Sequence, residues 1–97
     1  MRQTNEALAL RREKAKLHRE MSKLVVARDG FYCVLCGATD TLEVHEVKPR
    51  SAFGRKNWRE CFVLENMVTL CRACHAQAAS LTFREKLLQY LSERKES

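Results

Sequence analysis

The sequence predicts a small α+β domain that is stapled by metal and flanked by a helix at each end. Two Cys-x-x-Cys pairs, Cys33/Cys36 and Cys71/Cys74, frame its centre. Between them Leu42 to Val47 alternates apolar and polar residues like a strand, and helical apolar spacing recurs before and after. At 97 residues the chain is expected to be one domain, short enough that a metal staple is needed to supplement its core. The expected organisation is a basic N-terminal helix over 1–28, a zinc-bound core over 29–79 and a C-terminal helix over 80–97.

The first helix starts at Thr4 or Asn5, both good caps, with Glu6 in the first turn where the helix dipole favours an acid. Leu10, Leu17, Met21 and Leu24 give it one narrow apolar stripe, which needs the core or a second copy to cover it. Asp29-Gly30 ends it, with Gly30 free to adopt the left-handed conformation. Cys33 to Gly37 reads as a zinc-knuckle turn.

In the 42–47 strand, Leu42, Val44 and Glu46 share one face, and Glu43, His45 and Val47 the other. Pro49 stops regular pairing. Phe53 and Trp58 anchor the basic loop of residues 50–60, and Cys61 to Leu64 is expected as the second strand. Asn66 lies in a turn, and a helix runs from Cys71 to Ala79. Thr82-x-x-Glu85 reads as the capping box of the last helix, whose buried stripe is Phe83, Leu87, Leu88 and Leu91.

A Cys-x-x-Cys turn presents two sulfurs on one side, and two such turns complete a tetrahedral zinc shell. Such a site has no open position, so Cys33, Cys36, Cys71 and Cys74 are expected to hold a structural ion whose binding energy is folding energy. A pair of redox dithiols is the alternative, but the βαβ context of a thioredoxin-like motif is missing. Cys61 stands apart and is expected to be a small buried apolar residue.

The net charge of +6 is unevenly placed. Residues 1–28 carry eight Lys/Arg against three Glu, whereas residues 29–79 balance. Within that balanced block, Lys48, Arg50, Arg55, Lys56 and Arg59 form a loop with no acid. A basic arm beside a basic loop suits a polyanion such as nucleic acid, with a solvated helix face and a merely polar loop as the lesser alternative. No apolar run approaches bilayer length, so no membrane partner is expected. With no apolar signal core after Met1, a cytoplasmic location is expected, where thiols stay reduced.

A closed zinc shell leaves His45, Glu46, Asn66 and His75 unexplained. His75 directly follows Cys74, so a strand packed on that helix would bring His45 opposite it. Two imidazoles hold Mn²⁺, Zn²⁺ or Ni²⁺ readily, and Mg²⁺ with help from phosphate oxygens and water.

The run Leu42-Glu-Val-His45-Glu46-Val-Lys-Pro49-Arg50-Ser51, then Asn66-Met-Val-Thr-Leu-Cys71-Arg-Ala-Cys74-His75, resembles the HNH endonucleases, in particular the small zinc-containing ones of phages. The resemblance covers roughly residues 28–79. It implies a treble-clef-like ββα-metal core, a hairpin and helix clasping one catalytic ion, with the hairpin against the DNA minor groove. It assigns His75 and His45 to the ion (Mg²⁺ or Mn²⁺), Glu46 to the general base, and Asn66 to fixing the loop and orienting the base. Glu46 is a departure, because His is usual there. The alternative makes His45 the base and Glu46 a ligand or salt-bridge partner.

The resemblance further implies hydrolysis of double-stranded DNA to 5′-phosphate and 3′-hydroxyl ends. Arg50, Arg55, Lys56 and Arg59 are candidates for phosphate contacts, which position the strand without reading sequence. Nicking is then the simplest monomer activity, with low specificity. Family analogy adds phage DNA packaging beside a terminase, and the apolar stripe of the first helix could dock such a partner or a second copy. The rival reading is a non-catalytic zinc module that binds DNA or a protein partner.

Overall fold

The computed structural model describes residues 4–78 and 80–96, the last three of these without their side chains. Residues 1–3 of the expected basic helix, residue 79 at the expected end of the core and residue 97 lie outside the described residues.

Helix α1 spans Asn5–Arg28, and Thr4 Oγ1 caps it by accepting from the Ala7 amide at 3.0 Å. Its inward side is Leu17, Met21 and Val25, four residues apart, with Val25 fully buried. Burying such a side chain contributes roughly 1.5–3 kcal/mol. The expected stripe therefore needs correction at both ends: Leu10 and Leu24 are exposed, and Val25 takes the inward position. Each step of four turns the inward line by about 40°, so the face covered by the core drifts away from Leu24 and takes in Val25. Asp29 caps the helix, and Gly30 follows at φ +80°, where a side chain would collide with the Tyr32 ring.

The knuckle closes through Cys33 N–H to Ala38 O at 2.8 Å and Gly37 N–H to Cys33 O at 2.9 Å, with Gly37 at φ +82°. Strand β1, Leu42–Glu46, pairs antiparallel with β2, Met67–Cys71. The register sets Leu42 opposite Cys71, His45 opposite Val68 and Glu46 opposite Met67.

The expected second strand at Cys61–Leu64 is not formed. That segment continues a short 3-10 turn over Trp58–Cys61, followed by another over Leu64–Asn66. Trp58, Cys61 and Phe62 are instead buried against α1 as a knot of side chains.

Helix α2, Arg72–Gln77, starts at Cys71, and α3 runs from Leu81 to Glu96. The start of α3 corrects the expected capping box. Ser80 Oγ accepts from the Phe83 amide at 3.3 Å, so the helix begins before Thr82. Leu87 is fully buried and Leu91 packs against the core, but Leu88 is exposed and Tyr90 takes its inward place.

The hairpin is the middle layer. One face packs on α1 through Met67 and Val44, with Trp58, Cys61 and Phe62. The other packs Val47, Val68 and Leu70 against the knuckle, Ala78 and Leu87. Asp29 ties the layers together. Its carboxylate accepts from the Thr69 amide (2.8 Å), the Tyr90 hydroxyl (2.9 Å) and the Arg28 guanidinium (2.9 and 3.1 Å).

Candidate metal and nuclease site

The four cysteines of the two knuckles converge. Their sulfurs all lie within 4.8 Å of one another, and Cys36 Sγ and Cys71 Sγ are 3.6 Å apart. Zinc–sulfur bonds of about 2.3 Å place tetrahedral sulfurs roughly 3.8 Å apart, whereas a disulfide needs about 2.05 Å. The cluster is thus compatible with structural zinc. Burial raises the Cys33 thiol, but the amides of Cys71, Cys36 and Leu35 outweigh it and pull the group down to about 6. Burial, then the neighbouring thiols, push Cys74 up to about 12. Four thiols this close cannot all ionise unaided, and a cation at their centre removes the conflict. Cys61 is buried away from this cluster, as a small core residue.

Beside the cluster, β1 and α2 bring two imidazoles together. The His45 and His75 rings meet edge to face, with centroids 5.0 Å apart. His75 is placed by the turn that carries Cys74, and His45 by its register opposite Val68. Burial, followed by the charge of His75, lowers the pKa of His45 and favours the neutral imidazole, the form that binds metals. Arg84 of α3 is close enough to act in the same direction.

Glu43 joins this face, and sequence reasoning missed its role. Its Oε1 accepts from His75 Nδ1 at 2.6 Å, and Oε2 accepts from Arg72 Nε at 3.4 Å. The bond to His75 comes first in holding the Glu43 carboxyl below its ordinary range, ahead of Arg72. With Nδ1 engaged, Nε2 of His75 is left as the ligand atom. The available signal was spacing: Glu43 is two residues before His45, on the same strand face.

Asn66 is a clasp. Its Oδ1 accepts from the Lys48 amide at 2.8 Å, and its Nδ2 donates to Lys48 O at 3.0 Å and Cys61 O at 2.9 Å. It thus fixes the loop that follows β1.

Glu46 is not brought to the imidazole pair. β1 stays regular through Glu46, so the carboxylate points to the α1 side. There it lines a cleft of about 380 Å³ with Arg11, Lys14, His18, Arg50 and Phe62. Arg50 and Arg55 line an adjoining depression with Lys14 and Trp58. Lys56 is exposed. Arg59 pairs with Glu13 of α1 and stacks on Trp58, 4.3 Å from the ring centroid, so its charge is engaged in docking the helix.

No helix among the described residues is long and apolar enough to cross a membrane. No curated protein and no solved structure shows a significant match to the chain. The family model for HNH endonuclease matches residues 33–80, a span that holds both knuckles, the hairpin, Asn66 and the imidazole pair. With that match laid over this geometry, the chain belongs to the HNH endonuclease family.

Proposed function

We propose that this protein is a metal-dependent DNA endonuclease that hydrolyses phosphodiester bonds with low sequence specificity. The observation that carries this reading is the His45–His75 pair, braced by Glu43, beside the four-cysteine cluster inside the family match. Cys33, Cys36, Cys71 and Cys74 would hold structural zinc. His45 and His75 would hold a catalytic Mg²⁺ or Mn²⁺, with phosphate oxygens and water completing its shell. When bound, that ion supplies charge stabilisation for the developing phosphorane and the leaving 3′ oxygen.

The residues divide the remaining work. Glu46, on the opposite face of the strand end, accepts the proton of the attacking water. A regular strand sets Glu46 and the imidazole pair on opposite faces, so the scissile phosphate would have to lie off the end of β1 for both to reach it. Asn66 holds the Lys48 backbone and so keeps the end of β1 in place. One such site cuts one strand, so nicking is the expected activity of a single copy.

A labelled duplex incubated with zinc-loaded protein and Mn²⁺ tests this reading. It should give fragments with ligatable 5′-phosphate and 3′-hydroxyl ends, and His45→Ala should abolish them. Uncut duplex from folded, metal-loaded protein would favour a non-catalytic zinc module that binds DNA or a protein partner.

A further inference from the structure

Helix α1 lies wholly outside the family match at 33–80, yet it forms a wall of the cleft into which Glu46 opens. Arg11, Lys14 and His18 of α1 face Arg50 across that cleft, and Lys14 and Arg50 also line the adjoining depression with Arg55. Glu46 is the one acid among the described residues that line the two. The cations are steadied by aromatic rings: Lys14 Nζ lies 5.4 Å from the Trp58 centroid, and the Arg50 guanidinium 5.6 Å from that of Phe62. The His18 ring is set edge-on against Phe62 at 5.5 Å. Such contacts limit the side-chain freedom that binding would otherwise remove.

We propose that these two depressions form one track for the sugar-phosphate backbone of DNA, in which Arg11, Lys14 and His18 join Arg50 and Arg55 in holding the strand that reaches Glu46. The track rests on the nuclease reading of the site. A continuous cationic groove with a single carboxylate at one end fits a chain of phosphates better than an acidic peptide. The family match at 33–80 favours the strand, because hydrolysis gives Glu46 a role, whereas an acidic peptide would meet it only as a like charge. The contacts would be made to the backbone, so they would carry no sequence preference.

Duplex binding by His75→Ala protein, without added divalent ion, reads the track apart from cleavage. Circular dichroism and zinc content would verify that each variant folds. Each backbone contact adds roughly 0.9 to the slope of log affinity against log salt. Arg11→Ala/Lys14→Ala should therefore lower the slope by about two and weaken low-salt binding, while the charge-keeping Lys14→Arg alone should leave the slope unchanged. Lys16→Ala/Lys23→Ala, on the same helix outside both depressions, should change it less. An unchanged slope in Arg11→Ala/Lys14→Ala, or an equal fall in Lys16→Ala/Lys23→Ala, would overturn the track. If the track variants lose binding but the unaltered protein leaves DNA uncut, the nuclease reading fails while the track stands.

Discussion

Glu43 and His75, from the first strand and the second helix, are joined by a hydrogen bond of 2.6 Å that fixes which ring nitrogen of His75 is left for a ligand. A carboxylate behind a metal-binding imidazole sets its tautomer and ring orientation. Glu43→Gln should therefore weaken Mn²⁺ binding by about 10- to 100-fold with little change in melting temperature. Calorimetric titration of zinc-loaded protein would read both the affinity and the number of ions bound.

Glu46 faces away from that pair, and its substitution should behave differently. Glu46→Gln should leave Mn²⁺ affinity near that of the unaltered protein while lowering the cleavage rate by roughly 10²- to 10⁴-fold. His45→Ala should lose both. A Glu46→Gln protein that cuts normally would return the base to His45.

The four-cysteine cluster predicts one zinc per chain and a fold that depends on it. Stripping the metal with a strong chelator under reducing conditions should remove the cooperative melting transition, and added zinc should restore it. A metal-free protein with an unchanged melting curve would contradict the staple.

Asp29 links stability to acid pH. Burial pushes its carboxyl up, but Arg28, the Thr69 amide and the Tyr90 hydroxyl together hold it below the ordinary 3.8. A depressed folded value means the contribution is complete above the unfolded value and fades as pH falls through the folded one. Asp29→Asn should cost about 2–3 kcal/mol at neutral pH. Its deficit relative to the unaltered protein should shrink as the pH drops below about 4. Urea melts of both proteins across that range would measure it.

Asn66 makes a comparable structural prediction. Its side chain holds three backbone groups on two segments, and it is buried. Asn66→Ala leaves those groups without their partner and should destabilise the domain by roughly 2–3 kcal/mol, read as a lower denaturant midpoint.

What the sequence made legible was local. Thr4, the Asp29-Gly30 stop, Gly37 and the two cysteine pairs each act through neighbours a few residues away, so spacing was enough to place them. The first strand was legible because it alternates. The second was not: Met67 to Leu70 is fully buried on both faces, polar Thr69 included, so it lacks the apolar–polar alternation of a half-exposed strand. Asp29 shows a second limit. Its partners Thr69 and Tyr90 are distant in the chain, and a helix-ending Asp-Gly gives no hint of them. The facing of Leu24 and Val25, or of Leu88 and Tyr90, depended on which side the rest of the fold would cover.

The same limit applied to the site. His45 and His75 were recognisable as residue types in a pattern, whereas Glu43 was missed although strand spacing put it on the face of His45. The cleft around Glu46 was not, because Arg11, Lys14 and His18 come from a helix whose orientation is set by Trp58 and Phe62 packing against its inward face.

The most direct test of the central claim is cleavage of supercoiled plasmid by zinc-loaded protein at low salt, with Mg²⁺, Mn²⁺ or a chelator. A His75→Ala protein that retains its zinc would serve as the control. Nicked circles that require the added ion and vanish in the variant are the predicted result. Intact plasmid with every ion, from protein shown to be folded and zinc-loaded, would contradict the account.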